Sequence, residues 1–321
     1  MSKPFRFGVQ CFNASSGVDW AGKAQRAEAL GYSTFSLADH ILGPGPALEK
    51  TNHPVQDVAA IPAMAYAAAV TSHIRIGSRV LCIDYYDPVV LAKSAMTIDM
   101  LSGGRLELGL GAGWLVEEYN AIGLSFDEPR VRIDRLEDVI AGIRAFSGEG
   151  YVNVSNDTIQ WRDFEGVPKP VSKPPLMIGG GSPRVLRLAG READIASLNF
   201  NNRAGVIGAD GVRSSDEALT EEKVGWIREG AGERFGDIEI EIGVYFAFVM
   251  DDPAPVVKGF CDMFGYTQDD MLRHPHALFG SVDAVCDEIT RRRKLYGVSY
   301  FTVGYDAMEA FAPVVDRLAG K

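Results

Sequence analysis

Gly179, Gly180 and Gly181 stand between an apolar run at 176–178 and a stretch with helical spacing that opens on Ser182 and Pro183. Three consecutive glycines carry a large conformational-entropy cost. They imply a sharp backbone path, or a place where something approaches the backbone closely. Ser182 is a favoured helix N-cap, and proline suits the first helical position. The first N–H groups of a helix lack intrahelical partners and its dipole is positive at that end, which suits a phosphate. A tight strand-to-helix turn without a ligand uses the same residues. On the phosphate reading, a valine at Gly180 blocks the anion without unfolding the chain. A second spot is Asp39–His40, where a carboxylate precedes an imidazole of a kind that exchanges protons near neutrality. A third is GLGAG at 109–113, which invites a dinucleotide-binding reading. That reading fails, because the position of the third glycine holds Trp114 and the motif follows the fourth apolar run of its series, not the first.

These residues need elements to position them. Short apolar runs at 5–12, 33–40, 74–84, 105–111, 176–178, 193–200, 238–250 and 298–304 read as strands, the seventh long and alternating. Helical spacing follows at 19–31, 56–70, 87–104, 114–121, 130–146, 183–190, 218–235, 281–296 and 306–320. Eight strands alternating with helices predict an α/β fold, a (β/α)8 barrel running through residues 1–321 as one domain. The segment 148–174 breaks the rhythm and reads as an inserted hairpin, while 201–217 is polar and glycine-rich and reads as a mobile loop.

In such a barrel, ligands bind where the strands end. The residues there are Gln10, Cys11, Phe12 and Asn13; Asp39 and His40; Cys82 and Asp84; Gly111, Gly113 and Trp114; the 179–182 loop; and Asn199 and Phe200. Polar and aromatic side chains converge on one rim, with Phe12, Asn13, Trp114, Asn199 and Phe200 as the expected substrate pocket.

Composition narrows the partners. The 321 residues are 46% hydrophobic and 23% charged, with a net charge of −11, which argues against nucleic acid. The short basic run 291–294 falls late in a helix and reads as a solvated face. Four cysteines show neither CxxC nor metal spacing, and His274–Pro275–His276 lacks further ligands, so no metal is expected. The chain shows no signal-peptide pattern and no membrane span, which predicts a cytoplasmic protein with reduced thiols.

The segments 102–123 (SGGRLELGLGAGWLVEEYNAIG) and 174–195 (PPLMIGGGSPRVLRLAGREADI) resemble hallmark segments of the bacterial-luciferase-like superfamily. LADHI at 37–41 and the stretch 74–105 match its second and third strand regions, and FRFGVQ with GSRVLCIDYYDP is most similar to its coenzyme F420-dependent oxidoreductases. The resemblance implies a luciferase-like barrel with the cofactor ring at the mouth and the cofactor phosphate on Gly179, Gly180, Gly181 and Ser182. It implies a non-prolyl cis peptide at Arg79–Val80 behind the ring, with Arg79 bulkier than expected there. Asp39, Cys82, Gly111 and Trp114 join the cofactor site, and Asp39 and His40 match an acid–histidine pair. Trp114 stands where some dehydrogenating members carry a glutamate, and is expected to wall the pocket instead.

The expected activity is hydride transfer between the deazaflavin C5 and a small organic substrate. The alternatives are a monooxygenase using reduced FMN, and a cofactor-binding barrel without turnover. The resemblance also implies a homodimer.

Overall fold

The computed structural model describes residues 3–321. Its frame is eight parallel strands: β1 (Arg6–Gln10), β2 (Thr34–Leu37), β3 (Arg75–Ser78, resumed at Leu81–Cys82), β4 (Leu106–Gly111), β5 (Leu176–Gly180), β6 (Ile195–Leu198), β7 (Glu239–Val244) and β8 (Val298–Gly304). They pair in the order β3–β2–β1–β8–β7–β6–β5–β4, and β4 returns to β3, so the sheet closes on itself. Helices wrap it, and the fold is the expected (β/α)8 barrel.

The strands read as near-continuous apolar runs because both faces are covered, outward by helices and inward by the barrel's own filling. Local chemistry sets the helix ends. Asp87 caps Pro88–Ser102 by accepting from the Val89 N–H at 3.0 Å, with proline first and Gly103 closing the helix in the left-handed region. Ser281 caps Val282–Tyr296 in the same way, with its side chain accepting from the Ala284 N–H.

The segment 148–174 is a hairpin as expected, Tyr151–Ser155 against Gln160–Glu165. Val152 and Ile159 are buried, and Trp161 and Phe164 pack on Phe146. Three regions depart from the sequence-based reading. The seventh strand is not continuous: β7 ends at Val244, and Phe246–Val249 leaves the barrel to pair with Ala277–Gly280. Helices Ala254–Phe264 and Gln268–Arg273 complete this excursion around a small apolar core of Val257, Met271, Ala277 and Phe279. An alternating run looks the same whichever neighbour supplies its hydrogen bonds, so the pattern could not show the change of partner. The stretch 201–217 contains a helical turn, Ala209–Arg213. The basic run is not a solvated face throughout. Arg292 is fully buried and donates to the carbonyls of His274, Pro275 and Ala277, because it lies on the stripe of Val285, Ile289 and Tyr296 that faces inward.

Candidate active site

Two walls rise at the C-terminal ends of the strands. The first belongs to β1, β2 and the segment after β4. His40 follows β2, and its Nδ1 lies 2.9 Å from Glu118 Oε2. Glu118 sits on Val116–Ile122, is fully buried, and also accepts from the N–H groups of Ile41 (2.6 Å) and Leu42 (3.3 Å) and from the Tyr85 hydroxyl (2.7 Å). Burial pushes its carboxyl up, but the bonds from His40, Ile41 and Tyr85 outweigh this and hold it below the usual carboxylate range. The His53 ring lies against His40, centroids 3.8 Å apart, and its Nδ1 donates to the Pro54 carbonyl at 2.7 Å. Desolvation, reinforced by His40, pushes His53 down to about 3. Trp114 meets both imidazoles, with centroids at 5.9 and 6.0 Å, and Phe12 meets His53 edge-on at 5.9 Å.

Asp39 makes its hydrogen bonds away from His40. Its Oδ2 accepts from the Cys82 N–H at 3.0 Å and its Oδ1 from the Tyr86 hydroxyl at 2.9 Å, and no hydrogen bond joins it to His40 among the described residues. It ties β2 to the resumed part of β3. Burial lifts its carboxyl to about 6 against those two bonds. The acid beside His40 is Glu118. The Cys82 thiol lies 3.2 Å from the Tyr119 hydroxyl, is pushed up by burial to about 12, and is poorly suited to exchanging protons near neutrality. Asn13 is exposed and its amide oxygen accepts from the Asp57 N–H at 3.1 Å, which braces the loop after β1.

The floor is the break in β3, where the Arg79–Val80 peptide is cis, at the position the resemblance implied. Ser78 Oγ bridges the break, accepting from the Gly109 N–H at 2.8 Å and donating to the Gly109 carbonyl at 2.9 Å. Val80 then leans on three glycines. A Cβ on Gly109, Gly111 or Gly179 would lie 3.0, 2.6 or 3.2 Å from its methyl groups. Packing thus explains the GLGAG motif: Gly109 and Gly111 clear room for the neighbouring strand, and Gly113, at φ 71°, lies where a Cβ would strike the Tyr119 hydroxyl. The bulk of Arg79 goes into the barrel. Its Nε donates to Glu241 of β7 at 2.9 Å and its Nη2 to Asn199 at 3.2 Å, and Gln10 donates to its carbonyl at 2.8 Å. Both ends of the ion pair are almost fully buried.

The triple glycine answers to close approach, not to unusual dihedrals, since none of the three has a positive φ. A Cβ on Gly180 would lie 2.2 Å from Val185 Cγ1, and one on Gly181 2.4 Å from the Phe200 carbonyl oxygen. Valine at Gly180 would therefore press on the Val185 side chain of the following helix, a packing cost that stands beside any block to a phosphate. The helix Pro183–Glu192 begins there, and the Ser182 side chain makes no capping bond. The hydroxyl and the first-turn N–H groups fit an anion.

The second wall follows β6 and β7. Phe200 packs on Tyr245 (4.9 Å) and His276 (4.6 Å), and the Tyr245 hydroxyl donates to Asn199. Behind it Lys223 is buried, donating to the Asn199 carbonyl at 2.8 Å and to Ser215, and burial pushes it down to about 7. The His274 and His276 rings are buried too, bonded to the carbonyls of Val212 and Gly243. Desolvation holds His274 at about 4 and His276 well below its usual value. No cluster of three metal-type ligands forms among the described residues.

The structure thus brings His40, Trp114 and Phe12 to one wall, Asn199 and Phe200 to the other, and Val80, Gly111 and Gly179 to the floor between. Glu118, His53, Tyr85, Tyr245 and Glu241 escaped the sequence reading. Glu118, beside Glu117, and His53, in the polar stretch EKTNHPVQD, carried no sequence signal that tied them to His40.

Residues 19–258 match the family model of luciferase-like monooxygenases. The chain is 32% identical over 172 residues to an F420-dependent glucose-6-phosphate dehydrogenase of Amycolatopsis mediterranei (strain U-32), covering 53% of this chain and 50% of that protein. It is 28% identical over 192 residues to an FMNH(2)-dependent dimethylsulfone monooxygenase of Pseudomonas fluorescens (strain Pf0-1), covering 59% and 50%. The chain spans about half the length of these two relatives. An F420-dependent secondary alcohol dehydrogenase in complex with an F420-acetone adduct shares the fold, with TM-score 0.77, 18% identity, and 98% and 99% of the two chains covered. No helix among the described residues is long and apolar enough to cross a membrane.

Proposed function

Because the chain belongs to the luciferase-like monooxygenase family, we propose that it is an oxidoreductase that uses coenzyme F420 to exchange a hydride with a small organic substrate. When bound, the deazaflavin supplies the hydride chemistry. The chain supplies the rest. Ser182 and the helix start at Pro183 hold the phosphate, Val80 makes a ledge for the ring, and Trp114, His53 and Phe12 keep water from the reacting atoms. His40 moves the accompanying proton. The observation that carries this reading is the His40 ring at the mouth, one nitrogen held by a buried carboxylate and the ring walled by Trp114. Asp39 acts indirectly, by fixing the ledge strand.

Relatives using either cofactor make a reduced-FMN monooxygenase the competing reading. Side-by-side fluorescence titrations with F420 and FMN test the choice. Much tighter F420 binding is expected, and FMN binding at least as tight transfers the assignment to the monooxygenase.

A further inference from the structure

We infer that Glu118 is a positioning residue that fixes the tautomer of His40, so that neutral His40 turns a lone pair, not a proton, toward the mouth. The inference rests on the reading of His40 as the proton-exchanging group.

The geometry is over-determined. Four groups converge on the two oxygens of one fully buried carboxyl: the N–H groups of Ile41 and Leu42 on Oε1, and the Tyr85 hydroxyl and His40 Nδ1 on Oε2. A carboxylate only accepts. The two backbone N–H groups only donate, so they fix Oε1 as an acceptor and the carboxyl in one orientation, and together with the Tyr85 hydroxyl they favour its ionised form. Nδ1 of His40 must then carry the hydrogen, and in the neutral ring Nε2 is left as the acceptor. His53 adds no competing charge. Its Nδ1 is spent on the Pro54 carbonyl and its ring stays neutral against His40. The clamp is built from the segment after β2, the turn after β3 and the helix after β4, so it exists only when three strand ends are in place.

Glu118→Gln makes the inference sharp. The amide must keep its oxygen toward the immobile N–H groups of Ile41 and Leu42, which turns its NH2 toward His40 and Tyr85. Nδ1 then has to accept, and the ring hydrogen moves to Nε2. Nitrogen-15 NMR of the histidine rings in the cofactor-free protein reads this directly, with His40 assigned by the signals lost in His40→Gln. The wild type is expected to carry hydrogen on Nδ1 and Glu118→Gln on Nε2, while Tyr85→Phe keeps the wild-type pattern. In the direction that needs a base, Glu118→Gln should lower kcat at least about tenfold, with substrate KM and cofactor Kd within a few-fold. Hydrogen on Nε2 in the wild type overturns the inference without any variant having to fold. So does a folded Glu118→Gln that retains hydrogen on Nδ1. If instead His40→Ala leaves turnover intact, the reading of His40 itself fails, whatever the tautomer.

Discussion

The two walls of the mouth each hold a pair of histidines, and one ring of the four, His40, has surroundings unlike the rest: His53, like His274 and His276, is desolvated and bonded to a backbone carbonyl. On the β1–β2–β4 side, His40 meets an ionised carboxylate across 2.9 Å. On the β6–β7 side, His274 and His276 donate to carbonyl oxygens, and His274 Nδ1 accepts from the His276 N–H at 3.2 Å. No carboxylate among the described residues bonds to either ring, and desolvation keeps both neutral through the physiological range. A desolvated imidazole can cycle a proton near neutrality only where something nearby stabilises its charged form. That condition would separate a proton carrier from a structural ring, and the proposed role of His40 rests on it.

The largest expected effect tests the contrast directly. His40→Ala should lower turnover by about 10²–10⁴-fold while cofactor affinity stays within a few-fold, whereas His274→Gln should leave turnover within a few-fold. Comparable losses in the two variants would erase the distinction between the walls. Steady-state kinetics beside a cofactor titration provides both numbers.

Next comes the ion pair that links the floor to the second wall. Arg79→Ala strands the fully buried Glu241, whose Oε2 already lacks a partner. Removing one member of such a pair costs about 3–5 kcal/mol, read as a lower denaturant midpoint. Replacing both partners with apolar residues should recover most of it. A single variant as stable as the wild type would mean that the pair contributes nothing to holding the floor.

Gly180→Val should cost less, about 1–3 kcal/mol from overpacking against Val185. The loss of phosphate binding should then track the loss of stability. Weakened binding at unchanged stability, measured by thermal melts and titration together, would show a purely local block.

The smallest effect, taken per pH unit at about 1.4 kcal/mol or less, is a pH dependence on the second wall. Lys223 is held at about 7 when folded, well below an unfolded lysine near 10.5. Between those values the unfolded chain binds more protons, so this group makes stability rise with pH from about 7 toward 10.5. Lys223→Met should flatten that slope. An unchanged slope in denaturant titrations across the window would show that burial does not depress the amine.

The sequence by itself determined the barrel, because eight apolar runs alternating with helices leave few ways to bury both faces of a sheet. It also located the rim, since residues that end strands reach the mouth whatever the loops do. The cis peptide position and the glycine loop were legible through resemblance, although the reason for the glycines was not. Val80, Val185 and the Phe200 carbonyl crowd them from other strands and the following helix. Tertiary structure alone decided which acid serves His40, that Asp39 ties strands together, that Arg79 crosses the barrel, and that Phe246–Val249 leaves β7 for a new partner. The physical reason is the same each time. Periodicity records how a residue sits on its own element. Glu118 reaches His40 from 78 positions away and Arg79 reaches Glu241 from 162, so those bonds exist only once the closed sheet brings the strand ends together.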